Sequence, residues 1–134
     1  MKLIVLIGRI LFSFIFLRSG FNHFSGESIA YATSQNVPYP SLLVPISGIL
    51  AIVGAISIIL GYKARIGAWL LVLFLIPVTI MMHNFWVLSD PMMKQIQMAM
   101  FLKNVSMLGG ALLITYFGAG PYSMDGRRKA KLIS

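Results

Sequence analysis

Two histidines sit where apolar runs end. His23 closes the first run and is followed by Phe24. His83 closes the third and is followed by Asn84, Phe85 and Trp86. If each run crosses a membrane, both imidazoles reach the same side. A fourth run carries Lys103 and Asn104 in its interior. Such a set could bind a quinone, which needs a flat apolar slot, donors for two carbonyls and a proton route. A histidine near the interface can donate a hydrogen bond and relay a proton near neutral pH. Lys103 could donate to the second carbonyl or to an anion such as a sulfur oxyanion; an intramembrane lysine is a functional suspect by default. The ligand-binding candidates are therefore His23, His83, Asn84, Trp86, Lys103 and Asn104, with Phe85 and Phe101 as walls. The plainer alternative pairs Lys103 with Asp90 or Glu27, or extends it to headgroups, and leaves the histidines in a wet interface.

Two histidines on one side also raise haem or metal ligation, but no tight spacing supports either, and no metal site is assigned. Cysteine is absent, which excludes disulfides, thiolate nucleophiles and dithiol chemistry within the chain. Paired carboxylates, a Ser-His-acid set and a phosphate loop are missing too, so no catalytic residue is identified. No cofactor is established, and a quinone is the one the cluster would suit. Electron transfer would require that cofactor or a soluble or membrane redox partner.

The elements that must position these residues are membrane spans. Of 134 residues, 58% are hydrophobic and only 10% charged, against roughly a quarter charged in soluble domains. Four apolar runs read as spans over about 3–21, 42–60, 66–82 and 96–117, followed by a basic tail over 118–134. The fold class is all-α, a four-transmembrane-helix bundle forming a single membrane domain. Residues Ser25–Ser34 could add a short interfacial helix. On span two, Ser47, Ala51, Gly54 and Gly61 share a small-residue face for close packing or for a homodimer. Pro77 should kink span three.

Charge orients the bundle. Lys2, Lys63, Arg65, Arg127, Arg128, Lys129 and Lys131 fall on one side, and Lys94 lies in the opposite loops. The positive-inside rule makes both termini cytoplasmic. The net charge of +8 then serves orientation and anionic lipid, not nucleic acid. Arg127, Arg128 and Lys129 read as lipid contacts. Arg9 lies about 10 Å inside span one at 1.5 Å per residue. It reads as structural, hydrogen-bonding carbonyls or Asn104, or as an inner contact to lipid headgroups.

The residues resemble the DoxX family from Gly8-Arg9 to about Asp125. The resemblance rests on Ser19-Gly20, His23-Phe24, Gly54-Ala55, His83-Asn84-Phe85-Trp86, Phe101-Leu102-Lys103-Asn104, Gly109-Gly110 and Gly120-Pro121-Tyr122-Ser123-Met124-Asp125. Where that family often carries a glutamate early in the second span, this chain has Ala51, which puts any role of that carboxylate in question. The resemblance implies a multi-pass protein of the bacterial cytoplasmic (inner) membrane, and a membrane subunit or accessory of a redox system such as a quinone-linked oxidoreductase. Two readings stand beside it: a non-enzymatic small-molecule or lipid binding or transport module, and a structural accessory protein.

Overall fold

The computed structural model describes residues 1–133, with the side chains of residues 129, 130 and 133 excepted. Six α-helices follow one another: α1 (Lys2–Asn22), α2 (Gly26–Ser34), α3 (Pro40–Leu60), α4 (Ala64–Met82), α5 (Pro91–Phe117) and α6 (Met124–Ile133). A one-turn 3-10 helix, Phe85–Val87, links α4 to α5. Helices α1, α3, α4 and α5 are long and apolar enough to cross a membrane.

The helix starts follow from local chemistry. Ser25 caps α2 by accepting the Ser28 N–H at 3.2 Å. Asp90 caps α5 by accepting the Met93 N–H at 2.7 Å, and Pro91 supplies the first helical residue. This cap moves the start of α5 to Pro91, five residues ahead of the start expected near Ile96. Helix α4 runs through Pro77 without ending, and α3 likewise runs through Pro45.

Helix α3 is central. It packs on α1 at one side and on α4 at the other, and α4 packs in turn on α5. Two glycine pairs set the close approaches. A Cβ on Gly48 would lie 2.7 Å from the Gly20 carbonyl oxygen, and one on Gly54 would lie 2.8 Å from that of Gly67. Between helices in lipid, association rests on such van der Waals packing, because the hydrocarbon offers no hydrophobic drive. Ala51 and Gly54 therefore serve contacts inside the monomer, as do Gly48 and Ala55. Phe16, Ile58, Leu71, Leu75 and Ala111 fill the interior. Leu11, Phe14, Leu73, Ile80 and Leu113 point outward, as a lipid-facing surface should.

The tail is more ordered than its composition suggests. Instead of a simple polar extension, residues 118–123 turn back and α6 follows. The Asp125 carboxylate caps α4 by accepting the N–H groups of Lys63 at 2.9 Å and Ala64 at 3.0 Å. Its own N–H donates to the Gly61 carbonyl at 2.8 Å. Arg9 is 4% exposed, and its Nη2 donates to the Tyr122 carbonyl. Gly61 has φ +64°, and a Cβ there would collide with both Arg9 and Ser123. The ends of α1, α3 and α4 and the tail thus form one clasp.

Candidate functional site

At the opposite end, α2 lies over the mouth between α3 and α4. Its position is fixed by packing on α3 and by the Tyr31 hydroxyl, which donates to the Met82 carbonyl at 2.9 Å. Beneath it is a cleft of about 450 Å³. Leu50, Phe74, Pro77 and Val78 belong to its largely apolar wall, and Glu27 and Ser28 lie on the α2 side. Ordinary ligand pockets begin near 300 Å³ and share this balance of apolar wall and few polar groups.

A second chamber of about 190 Å³ adjoins it. It lies between α1, α4 and α5 and contains His23, His83, Lys103 and Asn104, with Ser19 also on its wall. No Asp or Glu lines it. Five residues, His23, Tyr31, Phe74, Val78 and Met82, border both spaces, so the two are neighbours across a shared wall.

The two imidazoles are held alike. Ser47 donates its hydroxyl to the Val44 carbonyl at 2.7 Å. The Ser47 oxygen is then the acceptor for His23 Nδ1–H at 2.7 Å. His83 Nδ1 lies 2.8 Å from Gln97 Oε1, which again accepts. These networks make Nδ1–H the donor in each ring. Neither Nε2 has a hydrogen bond among the described residues. Burial pushes the His23 imidazole below its ordinary value, and the bond to the Val44 carbonyl opposes that only in part. The His23 ring also packs on Phe74, with centroids 5.4 Å apart. Burial raises the Tyr31 hydroxyl above its usual range.

Lys103 lies about 18 Å from Pro91 along α5 at 1.5 Å per residue, near the middle of the helix, and is exposed. Its Nζ approaches the Met100 sulfur at 3.5 Å. It forms no ion pair with Asp90 or Glu27 among the described residues; Asp90 is engaged as the α5 cap. Asn104 is 4% exposed.

The structure brings four of the six candidates together and leaves two outside. Asn84 and Trp86 line neither space. Trp86 instead meets Phe85 edge-on at 5.4 Å and Phe101 at 5.9 Å, which fastens the 3-10 turn to α5. Phe85 and Phe101 are therefore an interfacial aromatic cluster and not walls of the chamber. Arg9 bonds a carbonyl, that of Tyr122, and not Asn104. Arg127 and Arg128 are exposed on α6, while the Lys129 side chain lies outside the described residues. No group of three His, Asp or Glu residues comes together among the described residues. Tyr31 was not among the candidates. Its only sequence signal is its place in the amphipathic segment now seen as α2.

Comparison with known proteins corrects the resemblance to DoxX. The SURF4 family profile matches residues 1–131. Inner membrane protein YphA of Escherichia coli K12 is 31% identical over 126 residues, covering 92% of this chain and 89% of YphA. Inner membrane protein YqjF of the same organism is 26% identical over 121 residues, 90% of this chain and 88% of its own length. The yeast ER-derived vesicles protein ERV29 is 33% identical over 81 residues, which span 60% of this chain and 26% of ERV29. No solved structure matches. The inner-membrane location expected from the sequence agrees with both E. coli relatives. The four-span chain, matched from residue 1 to residue 131, belongs to the SURF4 family.

Proposed function

We propose that this protein is a non-enzymatic membrane module that binds a small apolar or lipid-like molecule and serves its transport or an accessory task. One observation carries the reading: the cleft of about 450 Å³ between α3 and α4, with α2 over its mouth. The cleft sits at the outer end of the bundle, where a molecule can exchange with the lipid leaflet. A short helix packed on α3 and tied to α4 by one tyrosine hydrogen bond is a suitable lid. The redox-subunit reading rested on DoxX and loses that ground. The names of the relatives speak of membranes and vesicles and not of a reaction.

The test is mass spectrometry of molecules retained by the gently purified full chain, beside a Leu50→Trp variant that fills the cleft. A defined apolar or lipid species, near one per chain and lost in Leu50→Trp, supports the reading. The same mixture of bulk phospholipid in both proteins overturns it. A retained quinone would restore the redox reading.

A further inference from the structure

Lys103 and Asn104 remain unexplained by an apolar cleft. Asn104 is 4% exposed, and its amide makes no hydrogen bond among the described residues, though an amide offers two donors and a carbonyl acceptor. That amide is not sealed in the packing, as the Arg9 Nε and Nη1 and the Ser13 hydroxyl are, but opens on the chamber it borders, so its donors are free for a ligand. Lys103, exposed on α5, adds a positive charge near the middle of that helix, with no ion pair to a carboxylate among the described residues. Both border the chamber of about 190 Å³, and no acidic residue offsets them there. Nδ1 of each histidine is engaged with Ser47 or Gln97, which leaves Nε2 turned to a ligand.

We infer that the small chamber is a headgroup site for an acidic amphiphile whose chain occupies the adjoining cleft. This rests on the binding reading above and names the ligand class for it. The group in question is a carboxylate or a phosphate monoester. Its anionic oxygens take the ammonium of Lys103 and the amide N–H groups of Asn104, as charge-assisted bonds. A protonated oxygen of the head, such as P–OH, donates to a histidine Nε2. The shared wall of His23, Phe74 and Val78 is where head and chain part, with the polar chamber on the α5 side and the apolar cleft on the α2 side. Neither space alone suits such a molecule: the cleft lacks a cation and the chamber lacks volume for a chain.

The experiment uses the full chain in zwitterionic nanodiscs. Its probes are oleate and 1-oleoyl lysophosphatidic acid as acidic ligands and monoolein as a neutral one, with binding measured by native mass spectrometry. The acidic probes should bind at least about tenfold tighter than monoolein, the scale of one or two charge-assisted bonds. Lys103→Gln and Asn104→Leu should each remove that preference while monoolein binding persists. Lys103→Arg should keep it, which separates lost charge from lost folding. Oleate against lysophosphatidic acid decides between carboxylate and phosphate. Leu50→Trp should weaken all three probes. Equal binding of acidic and neutral probes, with Leu50→Trp still weakening both, overturns the headgroup site and leaves the cleft standing. A preference that survives Lys103→Gln also overturns it. Failure of every probe to bind overturns both readings.

Discussion

Asp125 and Gly61 meet at the end of the bundle away from the cleft, the Asp125 N–H donating to the Gly61 carbonyl at 2.8 Å. The contact sets the Asp125 carboxylate over the first turn of α4, where it takes two backbone N–H groups that the helix cannot satisfy itself. A negative charge at this end also suits the helix dipole. Asp125→Ala is therefore expected to lower stability by about 1–2 kcal/mol, the usual scale of a lost N-cap. Asp125→Asn should lose less, since one oxygen remains. Unfolding in a defined detergent measures both.

Gly61 is the least replaceable residue of the clasp. Gly61→Ala combines a positive φ with a collision against Arg9 and Ser123. The backbone part alone costs about 1–2 kcal/mol, and the collision adds to it. Gly109→Ala is the control. A Cβ there meets nothing within 4 Å, and alanine in a helix interior is favoured over glycine by roughly 0.5–1 kcal/mol. The expected order of melting temperatures is Gly109→Ala at or above the parent and Gly61→Ala well below it.

Helix spacing gives a second contrast. Gly54→Val should push α3 from α4, because its Cβ would already lie 2.8 Å from the Gly67 carbonyl and 2.7 Å from a Leu71 methyl. Overpacking of this kind typically costs about 1–3 kcal/mol. Gly8→Val, facing open space in α1, should cost nothing or gain slightly, since valine is a somewhat better helix former than glycine. If both variants unfold at the same temperature, the tight crossing is not a stability determinant.

His23 should make stability depend on pH. Burial holds its imidazole below the ordinary value of 6.5, so the unfolded chain binds the proton more readily than the folded one. The contribution is fully present above about pH 6.5. It is lost as pH falls below that value and through the lower folded value. Melting temperatures recorded from pH 8 to pH 4.5 should decline for the parent more than for His23→Gln, which can still hydrogen-bond Ser47 without titrating. Equal declines would assign the effect to other groups.

Much of the architecture was legible because lipid imposes a simple rule: each span must be apolar and about 20 residues long. Leu3–Phe21 and Leu42–Leu60 show it plainly. The start of α5 was less legible, since Met92, Met93, Lys94 and Gln95 dilute the apolar signal. Asp90-Pro91, an N-cap followed by the proline that favours a first helical position, carried the information instead. The site was half legible. His23 and His83 share a side by counting spans, but the cleft depends on how α2 folds back onto α3, which no spacing encodes. Ser47 read as a packing residue and proves to hold His23 as well. Trp86 and Asn84 sit close to His83 in sequence, yet the 3-10 turn carries Trp86 to Phe101. The resemblance to DoxX failed for a related reason. Gly120-Pro121-Tyr122-Ser123-Met124-Asp125 builds a turn and a cap that fasten helix ends, and Gly54 lets helices touch. Such devices suit four-helix bundles generally and do not tell one membrane family from another.

The clasp also has a consequence in time. Arg9 and the Tyr122 carbonyl are 113 residues apart. At about 5–20 residues per second, the arginine is made roughly 6–23 s before its acceptor. During synthesis the first helix therefore carries a guanidinium in need of shelter, by the insertion machinery or by lipid phosphates. Release from that shelter awaits the last stretch of the chain. A nascent protein halted before Tyr122 holds four complete spans and an arginine without its carbonyl acceptor, a mark by which quality control could tell unfinished copies from finished ones.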